Sequence, residues 1–247
     1  MHPIICRIGP FTVYSYGLML AIAFAIAVFL VRREGQRQGV DPDQLFNFCF
    51  IVFVSGVLGA RLLYVLGHLP YYLERPLETV FLQQGGLSWF GGLTAGIISG
   101  FAYLKAKRLP VLQTVDLVIP YVALGQALGR VGCLLNGCCY GKHSAWGLYF
   151  PVHEDTLIPT QLYSALILLF IFAVLRLLRT RLRFPGDLFA AYLVLYSMKR
   201  FFIEFWRADN PVVFAGLTLF QLFSIGFFIA GLAMLVGRRI PFRAPQR

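Results

Sequence analysis

Charged residues are scarce in this chain of 247 residues. Asp, Glu, Lys and Arg together make up 13% of the sequence, whereas hydrophobic residues make up 58%. A soluble globular domain usually has about 25% charged residues. The composition therefore excludes an ordinary soluble protein and predicts an all-α, polytopic membrane protein.

Linkers, repeats and low-complexity tracts are also missing. No polar stretch is long enough to separate two domains, and no sequence period of about 20–50 residues recurs. The first ten residues lack the cationic start and apolar run of a cleavable signal peptide. The simplest expectation is a single membrane domain over residues 1–247, with short outer-face arms at about residues 68–86 and 137–158.

Long apolar runs, by contrast, are abundant. A helix needs about 20 apolar residues to cross the hydrocarbon core of a bilayer. Seven stretches satisfy this requirement and predict about seven transmembrane helices, at residues 11–31, 45–67, 87–104, 112–136, 159–178, 187–206 and 213–236.

Lys and Arg are distributed unevenly between the two sides of these segments. Fourteen follow segments one, three and five or lie in the C-terminal tail, and only four lie on the opposite side. By the positive-inside rule, the N-terminus is outside and the C-terminus is cytoplasmic. The formal charge of +11 is thus mostly a topology signal, and nucleic-acid binding is not expected.

Four cations lie within or at the ends of the apolar segments: Arg61, Arg130, Lys199 and Arg200. A charged residue at membrane depth costs at least about 2.5–3.5 kcal/mol on insertion scales, so it normally has an anionic partner. Few acids are available within the segments. A structural ion pair, for example with Glu204, is one possible partner, and a phospholipid head group is the other.

Segment four places polar groups on one helix face near its end. Gln126 and Arg130 are four residues apart and share a face, and Asn136 follows a turn and a half later. A guanidinium offers paired, planar donors that suit a phosphate or a carboxylate.

Segment six carries a similar polar face. Tyr196, Arg200 and Glu204 are spaced four apart, and Arg207 follows three residues later. The spacing predicts one face that presents a phenol, a guanidinium, a carboxylate and a second guanidinium. An isolated Arg200–Glu204 pair is the structural alternative.

Several further residues have both a structural and a functional interpretation. Tyr16 is either an interfacial anchor or a phenol that faces a site. Gly91 and Gly92 either allow close helix packing or offer backbone N–H groups to an anion. Gln161, at the start of segment five, either caps that helix or contacts substrate.

Two adjacent cysteines, Cys138 and Cys139, follow segment four. They lack the spacing of a zinc knuckle, so no metal site is predicted. Arg130 could activate a nearby thiol, or the cysteines could simply be small buried residues.

The segment from Gly129 to Gly137 reads Gly-Arg-Val-Gly-Cys-Leu-Leu-Asn-Gly. It resembles the signature Gly-Arg-x-Gly-Asn-x-x-Asn-Gly of the bacterial prolipoprotein diacylglyceryl transferases. The resemblance extends in family order across nearly the whole chain, through residues 14–18, 59–61, 91–93, 115–116, 159–163 and 200–207.

This resemblance implies an enzyme of the bacterial cytoplasmic (inner) membrane. Such an enzyme transfers a diacylglyceryl group from phosphatidylglycerol to the lipobox cysteine of a preprolipoprotein signal peptide and releases glycerol phosphate. It requires no metal or organic cofactor. Carried over residue by residue, Arg130 and Arg200 would hold the phosphate and Glu204 would orient Arg200. The site would be completed by Tyr16, Asn136, Tyr196, Arg61, Gly91, Gly92, Gln161, Arg207 and His143.

Three positions depart from the family pattern. Phe90 replaces the usual histidine before Gly-Gly-Leu, Cys133 replaces the first signature asparagine, and Cys138 replaces an acid. Phenylalanine cannot accept a proton, so His143, Tyr16 or the lipid phosphate becomes the candidate base. The alternatives are a non-catalytic protein that binds or moves phospholipid and a transferase with a different acceptor.

Overall fold

The computed structural model describes residues 1–8, 11–81, 85–182 and 184–237, and most of these residues are helical. The helices are α1 (Ser15–Arg37), α2 (Pro42–Gly67), α3 (Leu69–Glu74), α4 (Trp89–Ala106), α5 (Val111–Asn136), α6 (Thr160–Leu178), α7 (Asp187–Glu204) and α8 (Leu219–Gly237). Three antiparallel strand pairs connect them: β1 (Ile4–Ile8) with β2 (Phe11–Tyr14), β3 (His143–Phe150) with β4 (Asp155–Leu157), and β5 (Val212–Phe214) with β6 (Leu217–Thr218).

Each of the seven predicted segments corresponds to one long helix. Five of these helices, α1, α2, α5, α6 and α8, are long and apolar enough to cross a membrane. Helices α4 and α7 have 18 residues each, and α7 is less apolar because it carries the charged residues Asp187, Lys199, Arg200 and Glu204. The prediction of an all-α, polytopic membrane fold is confirmed.

The orientation of the chain stays a prediction. Part of the argument for it used Arg183 and the arginines of the C-terminal tail, and these residues lie outside the described ranges. Residues 82–84 of the first predicted arm also lie outside them.

The chain divides into two compact units, one formed by Met1–Ala27 with Val115–Arg247 and the other by Val28–Thr114. The divisions fall inside α1 and α5, so no linker sequence marks them. The expectation of a single domain over the whole chain stays a prediction.

In the unit Val28–Thr114, glycines bring the backbones of α2 and α4 into direct contact. A Cβ on Gly59 would lie 2.7 Å from the carbonyl oxygen of Gly91, and a Cβ on Gly92 would lie 3.1 Å from that of Gly56. Real Cβ atoms do not approach a carbonyl as closely as the first of these distances. The close helix packing considered for Gly91 and Gly92 from the sequence is therefore observed.

In the other unit, α7 is fixed at its start by α5. The Asp116 carboxylate on α5 accepts hydrogen bonds from the backbone N–H groups of Gly186 (2.5 Å) and Phe189 (2.8 Å), and so satisfies free donors at the beginning of α7. Apolar side chains of α5, α6 and α7 form one buried cluster beside this contact. The position of α7, and of the polar residues along it, is thus set by packing and by a cap.

Candidate active site

Helix α5 ends in a Schellman motif. The N–H of Gly137 donates to the carbonyl of Leu134 (3.2 Å), and the N–H of Cys138 donates to the carbonyl of Cys133 (3.1 Å). Gly137 has φ +75°, the left-handed conformation that this turn requires and that glycine adopts without strain. The motif brings Cys138 back over Cys133, and the Cys138 Sγ lies 3.7 Å from the Cys133 carbonyl oxygen.

The loop after this turn is held by the first residues of α6. Thr160 Oγ1 donates to the carbonyl of Cys139, and Gln161 Nε2 donates to the carbonyl of Cys138, both at 2.6 Å. Gln161 is completely buried, and its Oε1 has no hydrogen-bond partner. These two side chains therefore fix the cysteine loop. Capping of their own helix was the structural role expected from the sequence.

His153 also fixes this turn and was not selected from the sequence. Its Nε2 lies 2.9 Å from the carbonyl oxygen of Gly137, and its ring centroid lies 4.1 Å from that of Tyr140. His153 follows the turn by 16 residues in an irregular loop. Neither its spacing nor its neighbours in the sequence indicate this contact.

The turn gathers three of the five cysteines. The Sγ atoms of Cys133, Cys138 and Cys139 all lie within 4.8 Å of one another, and all three are free thiols. The pKa of the Cys139 thiol is well below its usual range because Cys133 and Cys138 hydrogen-bond to it; the nearby Arg130 and Arg207 lower it further.

Arg130 lies on α5, one turn before Cys133. Its side chain is half-buried, and no described residue forms a hydrogen bond or an ion pair with its guanidinium. The Tyr16 phenol interacts electrostatically with Arg130 and with the three thiols. Tyr16 reaches this position because Gly132 leaves room for α1: a Cβ there would lie 3.0 Å from Met19 Cβ and 3.4 Å from Tyr16 Cδ2.

Arg200 differs from Arg130 because it has an acid partner. Its Nη2 lies 3.2 Å from Glu204 Oε2, and the exposed fractions of the two side chains are 11% and 0%. Glu204 Oε1 accepts hydrogen bonds from Asn210 Nδ2 (2.6 Å) and Thr218 Oγ1 (2.9 Å). Asn210 and Thr218 were not predicted, because they follow α7 in a connection without regular spacing.

Two more cations belong to this region. Lys199 is buried, and its Nζ lies 4.8 Å from the ring centroid of Tyr196. Arg207 forms a bidentate pair with Asp209, with Nε–Oδ1 at 2.8 Å and Nη2–Oδ2 at 2.5 Å. The Lys199 ammonium group interacts electrostatically with Arg130, with Arg200 and with Arg207.

Positive charge exceeds negative charge at this end of α5 and α7. Four cations, Arg130, Lys199, Arg200 and Arg207, interact with one another, and their acid partners are Glu204 and Asp209. The ion pair of Arg130 with Glu204, considered as an alternative from the sequence, is not formed, since Glu204 pairs with Arg200. The arrangement can therefore receive an anion, and Arg130 is a cation whose guanidinium donors form no hydrogen bond with a described residue.

His143, the other histidine considered from the sequence, lies on β3. Its Nδ1 is 2.7 Å from Asp155 Oδ1, and its side chain is 71% exposed. The hydrogen bond from His143 lowers the pKa of the Asp155 carboxyl group. His143 therefore forms an exposed pair with Asp155, and its role as a base or substrate contact stays a prediction.

Arg61 lies in the unit Val28–Thr114, and its guanidinium is used in folding. Its nitrogen atoms donate to four backbone carbonyls, those of Glu78 (2.5 Å), Thr79 (2.9 Å), Gly85 (2.7 Å) and Gly86 (3.1 Å). The side chain is buried. Arg61 therefore closes the segment after α3 onto α2.

Gly91 and Gly92 lie in the same unit, at the contact of α4 with α2. The N–H of Gly92 donates to the carbonyl of Ser88 (3.1 Å) within the first turn of α4. Their packing role is observed, whereas contact of Arg61, Gly91 or Gly92 with a substrate stays a prediction.

Comparison with known proteins gives a consistent family assignment. A family model described as prolipoprotein diacylglyceryl transferase matches residues 3–237. Three relatives are each named phosphatidylglycerol–prolipoprotein diacylglyceryl transferase. The protein of Lactiplantibacillus plantarum is 32% identical, over 97% of this chain and 90% of its own length. Those of Staphylococcus xylosus and Clostridium tetani are each 31% identical, covering 100% and 94% of this chain and 92% and 96% of their own lengths.

Proposed function

This chain belongs to the prolipoprotein diacylglyceryl transferase family, and we propose that it transfers a diacylglyceryl group from phosphatidylglycerol to a cysteine thiol of a prolipoprotein. The sulfur attacks the glycerol carbon that bears the phosphate. A C–S bond forms, the C–O bond to phosphate breaks, and its electron pair leaves with the phosphate oxygen. The products are a thioether and glycerol phosphate, and the thiol proton passes to the released phosphate or to water.

One observation supports placing the reaction at Arg130: this half-buried residue has no hydrogen-bond or ion-pair partner among the described residues. A guanidinium in an apolar segment normally has an anionic partner. A phosphodiester oxygen satisfies that requirement, and the lipid bilayer supplies it at the same depth. Arg130 would hold the phosphate and stabilise the charge that develops on it as the C–O bond breaks.

The residues of α7 support the same phosphate. Arg200 is oriented by Glu204, which is itself held by Asn210 and Thr218. Lys199 lies beside them, buried, with its Nζ 4.8 Å from the ring centroid of Tyr196. In this arrangement Arg200 is a second phosphate ligand, and Glu204 is a positioning residue that fixes its guanidinium.

Five more of the predicted residues would surround the phosphate. Tyr16 and Tyr196 are phenols that interact electrostatically with Arg130 and with Arg200, respectively. Asn136 hydrogen-bonds to Cys138, and Gln161 fixes the same loop. These four residues would line the site together with Arg207, whose guanidinium is held in place by Asp209.

The acceptor would be the lipobox cysteine of a signal peptide that enters from the bilayer. The enzyme would be a multi-pass protein of the bacterial cytoplasmic membrane, with the cysteine turn on the outer side. The five apolar helices support a membrane location, and the Lys and Arg asymmetry supports the orientation.

A transfer assay with purified protein tests the proposal. The protein is mixed in detergent with phosphatidylglycerol and a peptide that carries one lipobox cysteine, and the diacylglyceryl peptide is measured by mass spectrometry. We expect Arg130→Ala to lower the rate about 100- to 1000-fold, as the loss of one charge-stabilising donor does elsewhere. Arg32→Ala removes an exposed arginine that pairs with Asp43 and should leave the rate unchanged.

Two outcomes would contradict the proposal. Undiminished transfer by Arg130→Ala would contradict the assignment of Arg130 to the active site. Saturable binding of phosphatidylglycerol by the wild-type protein without any thioether product would indicate a phospholipid-binding protein instead.

A further inference from the structure

Three thiols converge beside Arg130. The Sγ atoms of Cys133, Cys138 and Cys139 lie within 4.8 Å of one another. The other two cysteines do not belong to this cluster: Cys6 is exposed on β1, and Cys49 is half-buried on α2. The convergence is unusual because Cys138 and Cys139 are adjacent in the sequence and their side chains would diverge in an extended strand.

The backbone explains why the three side chains meet. In a Schellman motif the side chains of the third residue before the cap and the second residue after it are frequently in contact, and these residues here are Cys133 and Cys138. Cys139 has φ +64°, a left-handed conformation that a residue with a Cβ rarely adopts. This conformation turns the Cys139 side chain towards the other two.

The cluster is held in place from outside. Hydrogen bonds from Gln161 and Thr160 fix the carbonyls of Cys138 and Cys139 at 2.6 Å, and Gln161 is completely buried. Binding of a ligand to the thiols would therefore require little rearrangement of the backbone. Strain at Cys139 in a turn fixed by buried polar side chains is typical of a functional site.

The sulfur spacing suits one thiophilic cation. Zn–S bonds are about 2.3 Å long, so two thiolates on one tetrahedral Zn²⁺ lie about 3.8 Å apart. Small rotations of the side chains bring sulfur atoms within 4.8 Å to that spacing. Among the described residues, no fourth histidine, cysteine or carboxylate belongs to the cluster. Three protein ligands with one open position are the pattern of catalytic zinc sites, whereas structural sites have four.

The surrounding charge favours the same ion. Three thiolates and one Zn²⁺ carry a net charge of −1, and Arg130 and Arg207 are the cations that act on Cys139. A buried anionic complex is stabilised by such neighbours.

We propose that Cys133, Cys138 and Cys139 bind one Zn²⁺, and that its open position takes the thiolate of the acceptor cysteine. This second step rests on the proposed function. Coordination releases the acceptor proton to water and holds the sulfur as a thiolate. The thiolate then forms the C–S bond as the C–O bond of the lipid breaks and glycerol phosphate leaves. The thioether product is a weaker ligand and dissociates from the zinc.

The metal site is tested first, without any activity measurement. Protein purified with a reductant and a chelator is titrated with Zn²⁺ against a chromophoric competitor, and bound zinc is measured by mass spectrometry. We expect one zinc per chain. Replacing any one ligand, as in Cys133→Ser, Cys138→Ser or Cys139→Ser, should weaken binding by about 100-fold or more, since even residues that only orient ligands contribute about 10- to 100-fold. Cys49→Ser is the matched control and should bind zinc as the wild type does.

The open position is then tested with Co²⁺ in place of zinc. A lipobox peptide should change the visible cobalt spectrum, and the same peptide with serine in place of its cysteine should not. The inference is overturned if the reduced protein binds no zinc, if the three variants bind it normally, if a disulfide joins two of the cysteines in the active protein, or if the cysteine peptide leaves the spectrum unchanged. Transfer by fully zinc-free protein would also overturn it and would leave the proposed function intact. Zinc and peptide binding without transfer from phosphatidylglycerol would instead contradict the proposed function.

Discussion

The variants Arg130→Met and Arg200→Met should differ in thermal stability, although both should lose transfer activity. Methionine has about the length of the arginine stem and no charge. In Arg130→Met no hydrogen bond or ion pair to a described residue is lost. In Arg200→Met the Glu204 carboxylate loses the cation at 3.2 Å from its Oε2.

The size of the difference in Tm between the two variants follows from the ion pair of Arg200 with Glu204. Breaking a buried ion pair by removing one partner costs about 3–5 kcal/mol. The value here should be near the lower end, about 3 kcal/mol, because Glu204 Oε1 keeps its hydrogen bonds to Asn210 and Thr218. A change of 1 kcal/mol shifts the Tm of a chain of this size by about 2–4 °C, so Arg200→Met should lower the Tm by about 6–12 °C. Arg130→Met should keep or raise the Tm, because it removes the cost of a charge in an apolar segment.

Thermal unfolding of the purified variants in detergent measures both effects. The double variant Arg200→Met/Glu204→Gln is the internal control: it has no unpaired carboxylate, while glutamine can still accept the hydrogen bonds of Asn210 and Thr218. We expect the double variant to regain most of the lost Tm. If Arg130→Met lowers the Tm as much as Arg200→Met does, Arg130 has a protein partner and the reasoning for an anionic ligand fails.

Two further substitutions test the packing and the exposed histidine. Gly91→Ala should destabilise the protein by about 1–3 kcal/mol in a thermal-unfolding assay, because the new Cβ would overlap the carbonyl oxygen of Gly59. Gly226→Ala on α8 should not, because a Cβ there would meet no atom within 4 Å beyond its own stretch of helix. His143→Ala should leave the transfer rate near that of the wild type and raise the pKa of Asp155 towards its ordinary value, because His143 is exposed and its hydrogen bond lowers that pKa; a large loss of transfer would identify His143 as a member of the site.

The helices were predictable because apolar length is sufficient to define them. All seven predicted segments became helices, with ends shifted by a few residues. The shift at the start of α1 has a specific cause: residues 11–14 pair with Ile4–Ile8 as a strand. Such pairing depends on a neighbouring strand and cannot be derived from the hydropathy of one segment.

Within the site, contacts along one helix were predictable and contacts between connections were not. The Arg200–Glu204 ion pair follows from a spacing of four residues on α7. The hydrogen bond from Thr218 to the same carboxylate joins residues 14 apart, across the connection that contains β5 and β6. No periodicity in the sequence indicates it. The contact of His153 with the carbonyl of Gly137 is not indicated by the sequence for the same reason.

The linear spacing of the cysteines does not indicate the thiol cluster. Adjacent cysteines do not fit a zinc knuckle, so the sequence argued against a metal. The relevant signal was the glycine at position 137, which permits a Schellman turn and pairs Cys133 with Cys138. The sequence pattern is one cysteine three residues before the helix end and another two residues after it, on either side of such a glycine. This pattern predicts contact between the two cysteine side chains.

The hydrogen bonds of Arg61 and Arg130 distinguish a structural arginine from one that can bind a ligand. Both follow small residues in apolar segments, and their sequence contexts are nearly equivalent. The nitrogen atoms of Arg61 meet four backbone carbonyls, so its insertion cost is offset by closing a loop. Arg130 has no hydrogen bond from its guanidinium to a described residue, and nearby cations raise its cost further. A folded protein keeps such a group only if something offsets that cost, which is why we propose an anionic lipid phosphate as the partner of Arg130.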